Sequence, residues 1–301
     1  VLPNPPVKEY TPAATTLTPD TSVILGSSWV NDINNDGTVN SLRRQSFKKW
    51  SIGLLLNQAP TIQEKLTLFW HNLLATESAD VSNGNYIYKH HTLLRSNCLG
   101  NYKNLIKALL TDPAMLTYLN GNLNNKTSPD ENLGRELLEL FTCGKGTNSL
   151  FTEADVKATA KVLTGWRNNA TTLSSYFTLS LHDTTNKQFS SFFNNTVIVG
   201  RNNANAGVDE INDLINMIFN VEEVSKYLCR RLYRWFVYYE IDVTVEANII
   251  TPLAQILRNN NFEVRPVLIA LFKSEHFFDV QVKGCQIKSP IDLVIGMCRE
   301  F

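Results

Sequence analysis

No charge of either sign predominates in this chain: 28 lysines and arginines balance 28 aspartates and glutamates. A net charge of zero offers no broad attraction for nucleic acid or anionic lipid, so neither is expected as a partner. Long apolar runs are missing as well. No stretch approaches the roughly 18 apolar residues that a membrane-spanning helix needs, so no transmembrane segment is expected. Cysteine is sparse, and Cys98, Cys143, Cys229, Cys285 and Cys298 are odd in number and far apart. That spacing does not suit a disulfide framework, and no CxxC or Cys/His pairing marks a zinc site. Buried thiols are the expectation for most of them.

What is present points to a helical protein. With 301 residues, 43% of them hydrophobic, the chain can bury a large core without staples. Residues 1–20 are Pro- and Thr-rich with neither helical nor strand period, which predicts an extended N-terminal segment. The start at Val1 suits a trimmed leader and hence export, to the periplasm, the outer membrane or the medium, with a cell-envelope or extracellular partner. At the other end, Ser289-Pro290 opens a helix that runs to Phe301 with no glycine stop, as if the natural chain continued. Between these ends residues 21–301 read as one α-helical domain. Helix signals begin at Thr61-x-x-Glu64, a capping-box pattern, and recur at 85–98, 101–110, 113–119 and after Thr152-x-x-Asp155. They resume at 209–219, 221–239, 246–258 and 266–272. Between 166 and 207 the period is lost, and 176–181 and 196–199 read as strands. The expected fold class is therefore mainly α, with a small β-hairpin insertion around 170–200.

The densest chemistry lies after Ser128-Pro129-Asp130-Glu131, which reads as a helix start with Ser128 as cap. At 100° per residue Leu133, Leu137, Leu140 and Phe141 form the core side, and Asn132, Glu136, Glu139 and Cys143 a stripe beside it. Two carboxylates three residues apart repel unless a cation, a divalent metal or a shared proton separates them, an arrangement that shifts carboxyl pKa values toward acid/base use. They could equally face solvent or pair with arginines of neighbouring helices. Arg135 points away, toward Glu131. His71 sits on a helix apolar on both sides, as a core histidine or a pocket lining. His182-Asp183 with Lys187 forms a turn that could be turn chemistry alone or a ligand or base site.

Two further patterns have both a plain and a functional reading. Asp32-x-Asn34-x-Asp36-Gly37 spaces oxygen ligands as a calcium loop does, but position twelve is Arg43, so an Asx-Gly turn is the alternative. Lys226, Arg230 and Arg234 make a basic stripe among aromatics, for which acidic partners, Glu136 or Glu139 among them, suit a neutral chain better than nucleic acid.

Several segments, in order, resemble the bacterial family known as domain of unknown function 1800. Glu64-Lys-Leu-Thr-Leu-Phe-Trp-His71-Asn72 is similar to its "EKLTLFWHNHFAT", and Asp112-Pro-Ala-Met-Leu-x-Tyr-Leu to its "DPAMLxYLD". Glu131-Asn132 and Arg135-Glu136-Leu-Leu-Glu139-Leu-Phe-Thr-x-Gly144 are similar to its "NENYARELMELFTLG". Leu163-Thr-Gly-Trp166, His182-Asp183 with Lys187, and Ile287-Lys-Ser-Pro290 continue the match. The resemblance implies a bacterial, exported protein with no assigned reaction. The family's second histidine in "WHNH" is Leu73 here, so a His-pair metal site is not implied.

Two functions follow as expectations. One is a hydrolytic or metal-assisted acid/base enzyme in which Glu136 or Glu139 shares a pocket with His71, His182 and Asp183, while Asn72, Glu131, Asn132, Arg135, Lys187 and Trp166 bind around it. The other is a noncatalytic envelope or extracellular interaction protein, whose polar residues form sealed pairs that fix helix packing.

Overall fold

The computed structural model describes residues 3–8 and 20–301, so most of the predicted N-terminal extended segment lies outside the described residues. The first part of the chain builds α1 (Gly37–Asn57), α2 (Gln63–Leu73), α3 (Ser78–Val81), α4 (Gly84–Ser96), α5 (Tyr102–Leu109) and α6 (Pro113–Tyr118). Next come α7 (Asn132–Glu136), which continues as a π-helical turn over Leu137–Thr142, and α8 (Glu153–Val162). After the β region follow α9 (Ala206–Asn220), α10 (Glu222–Phe236), α11 (Val243–Val245) with a π turn over Glu246–Ile250, α12 (Thr251–Asn259), α13 (Val264–Lys273) and α14 (Pro290–Glu300). The fold is mainly α, and no helix among the described residues is long and apolar enough to cross a membrane. One contiguous apolar cluster runs from Leu66 on α2 to Leu271 on α13, with Trp70, Tyr102, Leu137 and Tyr233 fully covered within it.

The β insertion differs from a single hairpin. β1 (Trp166–Asn169) pairs antiparallel with β2 (Ser174–Phe177), and β3 (Lys187–Gln188) with β4 (Val197–Ile198), as two separate two-stranded ribbons. The two apolar stretches seen in the sequence therefore pair with polar neighbours, Trp-Arg-Asn-Asn and Lys-Gln, rather than with each other. Polar partner strands carry no alternation, which hides them from a period-two search.

Helix ends follow local chemistry in some places and tertiary contacts in others. Thr152 and Asp155 form the predicted capping box of α8. Thr61 and Glu64 do not, because Glu64 turns to Arg95 on α4, with both Arg95 Nε (3.0 Å) and Nη2 (2.6 Å) on Glu64 Oε1. Ser128 does not cap α7 either; the helix starts four residues later, with Asp130 accepting the Asn132 N–H. In the π turn that follows, the Thr142 hydroxyl bonds the Leu137 carbonyl, five residues back. Residues in a π turn advance less than 100° each. Leu138 is consequently buried, and Leu140, expected on the core side, is 42% exposed.

The longest helix, α1, left no apolar stripe in the sequence, since its buried positions are Val39, Asn40, Arg43 and Ser46. It is held by polar bonds instead: Arg43 Nε reaches Asp20 at 2.8 Å, and the Asn40 side chain accepts the Gly84 N–H at 2.9 Å.

Gly200 marks the tightest backbone approach. A Cβ there would lie 2.1 Å from the Thr184 carbonyl oxygen and 2.5 Å from that of Thr185, both main-chain atoms that cannot swing aside. Gly200→Ala should lower stability by about 1–3 kcal/mol, the usual range for overpacking. Urea denaturation checks this, and an unchanged midpoint would show that the loop gives way freely.

Candidate functional site

The chemistry-bearing residues occupy three separate places. The first is a cavity of about 440 Å³ enclosed by α1, α2, α4 and α14, with apolar walls that include Phe47, Leu55, Leu68, Ile87 and Ile291. His71 from α2 and His91 from α4 both line it. Burial, then the neighbouring His90, lowers the His71 pKa to about 4. Burial first, then His71, His90 and Arg95, lowers that of His91 to about 3. Both rings are thus neutral at pH 7. His91 packs edge-on against Phe47 (5.5 Å between centroids) and Trp50 (5.3 Å), and its Nδ1 is buried with no hydrogen-bond partner. Such an orphan commonly costs about 1–3 kcal/mol and calls for an explanation.

Neighbouring polar groups hold the two histidines in place. His90 Nδ1 lies 3.0 Å from Asp112 Oδ2 and its Nε2 3.2 Å from the Leu74 carbonyl, while Asp112 also caps α6 through the Met115 N–H. The buried Glu64–Arg95 pair ties α2 to α4. On the far side α14 closes the cavity with Ile291, and Asp292 takes both contacts from Lys65 Nζ at 2.7 Å. Asn72, beside His71 in sequence, is exposed and outside the cavity wall.

The second place is the surface of α7. Arg135 joins Glu153 through two bonds (2.8 and 2.7 Å), Glu131 at 3.0 Å and Glu139 at 3.5 Å, and Lys145 also abuts Glu139. Arg135 is therefore a cation for Glu139, as the i,i+4 spacing on one helix face permits. Glu136 keeps one buried oxygen without a partner, and its pKa is raised by burial and then by Glu139. Asn132, at the start of α7, donates its backbone N–H to Asp130.

The third place is sealed. Lys187 and Glu210 are fully buried and paired at 2.6 Å, Lys187 also reaches the Asp183 carbonyl, and the Arg201 N–H donates to Glu210 Oε1 at 2.8 Å. His182 Nε2 sits 3.1 Å from Glu210 Oε1 but off the line of a hydrogen bond, and its Nδ1 meets Thr164. Burial pushes the Glu210 carboxyl up, yet the contacts from His182 and Lys187 outweigh it and hold the pKa low. Asp183 takes the Thr185 N–H and hydroxyl in a local turn. Trp166 is buried nearby against Phe177, with centroids 5.6 Å apart. This network fastens the β insertion to α8 and α9.

The predicted convergence of His71, Glu136 and His182 is not what the structure brings together, since neither Glu136 nor His182 lines the His71 cavity. In the loop that resembles a calcium site, Asp32 pairs with Arg43, the Asn34 side chain accepts the Asp36 N–H, and Asp36 caps α1. The position-twelve guanidinium thus takes the Asp32 carboxylate, while the Asn34 and Asp36 side chains are used by backbone N–H groups. Among the described residues no group of three His, Cys, Asp or Glu is arranged to hold a metal ion. Arg230 of the basic stripe pairs with Glu223 and Glu246, not with Glu136 or Glu139. Sequence reasoning missed His90, His91 and Glu210. The adjacent pair His90-His91 within a predicted helix was a usable signal, whereas Glu210 was visible only as an acid on an otherwise apolar helix face.

Fold and site together define a mainly helical protein whose chemistry-bearing residues are divided among an apolar pocket, a surface cluster on α7 and a sealed network. The chain belongs to the family described as "Protein of unknown function (DUF1800)", which it matches over residues 8–301. No curated protein and no solved structure matches it.

Two outcomes test these assignments. Glu210→Gln should cost about 3–5 kcal/mol by stranding the buried Lys187 ammonium, while Lys187→Met with Glu210→Leu should recover most of the loss. Denaturant titration of both variants decides between a structural and a dispensable network. For the cavity, the unfolded chain binds protons that the buried imidazoles refuse, so stability is full above the ordinary histidine value of 6.5 and falls as pH drops below it. Each ring contributes up to about 1.4 kcal/mol per pH unit. His91→Phe should flatten the slope between about pH 6.5 and 5, a window above most carboxylate titration. Equal slopes would show that His91 is not a buried neutral ring.

Proposed function

We propose that the protein binds a small, largely apolar molecule in the cavity beside His71 and His91, and that this binding rather than acid/base turnover is its activity. The observation that carries the reading is an apolar cavity of about 440 Å³ with two neutral imidazoles, those of His71 and His91, on its wall. Binding sites for small molecules are typically apolar concavities of about 300–1,000 Å³ with a few convergent polar groups. Catalysis by these rings is less favoured, because general bases work best with pKa values near the operating pH, and these lie at about 4 and 3. The sealed Lys187–Glu210 pair supports the same choice, for it has no opening to substrate and its two charges satisfy one another.

The proposed setting is the bacterial envelope or the medium, as the family resemblance implies. Fractionation of the native host supports it if the chain is recovered outside the cytoplasm and contradicts it if the chain stays in the cytosol.

Ligand binding is tested with a neutral probe, 1-octanol, read by calorimetry and thermal melting. Saturation near 100 Kd should stabilise the fold by about 2.7 kcal/mol. Ile52→Trp and Leu55→Trp each push an indole from the half-exposed wall into the cavity and should abolish the shift. If the probe neither binds nor stabilises, the cavity is not a ligand site.

A further inference from the structure

A polar cleft of about 660 Å³ lies between the loop that follows α7, helix α10 and the segment from Ile241 to Thr251, and it shares no wall residue with the cavity of His71 and His91. We propose that this cleft binds a neutral carbohydrate, a short chain of hydroxyl-bearing rings without a charged group.

Both π turns meet here. The first ends at Thr142, and the next two residues, Cys143 and Gly144, line the cleft; the second contributes Glu246 and Ala247. Each turn is held by a threonine hydroxyl on the carbonyl five residues back, Thr142 on Leu137 at 2.6 Å and Thr251 on Glu246 at 2.9 Å. A π turn interrupts the regular helical ladder, and such turns occur frequently at functional sites. Gly144, at φ +82°, brings the loop against α10: a Cβ there would come within 2.5 Å of Tyr227 Cδ2. Departures from regular helix therefore shape two sides of the cleft.

The charges on the wall balance. Lys145, Arg230 and Arg234 line the cleft together with Glu223, Asp242 and Glu246. The groups acting from behind, Glu136 and Glu139 against Arg135 and Arg231, cancel as well. Arg230 is spent on Glu223 and Glu246 through Nε, Nη1 and Nη2. An anion drawn to Arg234 would meet three carboxylates, and a cation drawn to those would meet three bases. The hydrogen-bonding groups are mixed in the same way. Tyr227, Ser149 and Thr251 donate their hydroxyl protons to the carbonyls of Leu140, Cys143 and Glu246, which leaves their oxygens as acceptors beside the carboxylates. Arg234 uses only its Nε among the described residues, on the Tyr239 carbonyl at 3.2 Å, so both Nη groups remain as donors. A sugar hydroxyl donates and accepts, so one ring can answer neighbouring groups of both kinds, whereas an ammonium only donates and a fully ionised phosphate only accepts. The volume lies within the range of about 300–1,000 Å³ usual for ligand pockets.

Calorimetric titration of the full chain at pH 7 with trisaccharides of three charge types tests the assignment. The neutral probes are cellotriose, maltotriose, mannotriose and triacetylchitotriose; the anionic probe is trigalacturonate and the cationic one the glucosamine trimer. At least one neutral trimer should bind at least about tenfold more tightly than either charged one, a gap of about 1.4 kcal/mol. Arg234→Met removes the spare donors, and Ala247→Trp places an indole in the cleft. Both positions are exposed, so each variant should keep the parent melting temperature while binding of the neutral trimer falls at least about tenfold. The assignment is overturned if no neutral trimer binds, if a charged trimer is the tightest probe, or if both variants bind as the parent chain does. None of these outcomes depends on the apolar cavity.

Discussion

The site depends on how α4 is pinned. Arg95 near its C-terminal end is bonded twice to Glu64 on α2, and His90 one turn earlier is bonded to Asp112 at the start of α6. Both bonds are buried, and a buried charged pair is worth most as a device for fixing one arrangement rather than as net stabilisation. His91, between these two committed neighbours, is bonded to neither of their partners. It is held by Phe47 and Trp50 at the edge of an apolar cavity, with a ring nitrogen facing no partner. Those pairs fix how α2, α4 and α6 are placed along one side of the cavity.

Elsewhere polar groups are consumed in holding the fold. Arg43 ties α1 to Asp20 and Asp32, and Lys187 and Glu210 lock the second β ribbon onto α9. Arg135 gathers Glu131, Glu139 and Glu153 on the outside of α7. These clusters contain most of the residues that looked chemically promising, and each is internally paired. A charged group that already has its counter-charge and hydrogen bonds has little left with which to engage a substrate, and in this the clusters differ from the two neutral histidines.

How much was legible in the sequence depended on whether local pattern or tertiary contact decided the outcome. The helices with apolar stripes and local caps, such as α8 with Thr152 and Asp155, stand where the pattern put them. Helix α1 was invisible because Arg43, Asn40 and Ser46 form its buried face, and partners distant in sequence determine that burial. The core-side assignment on α7 failed at Leu140 and left out the buried Leu138, because a π turn changes the angle per residue and no residue type announces one. For the site, His71 was correctly seen as a core or pocket residue. Its true neighbours, His90 and His91, were passed over in favour of Glu136 and His182, which share its motif family but not its place. Sequence order says which residues occur together, and only packing says which of them meet.

The central claim is that His71 and His91 are neutral rings held on the wall of an apolar cavity. Side-chain ¹⁵N chemical shifts of the labelled chain, followed from about pH 8 down to the acid transition, measure this directly at each ring. The account predicts that both imidazoles retain neutral shifts through pH 6.5 and 5, and that a ligand bound in the cavity moves the ring resonances of His71 and His91. Titration of both rings near 6.5, the ordinary histidine value, with no response to ligand, would contradict it.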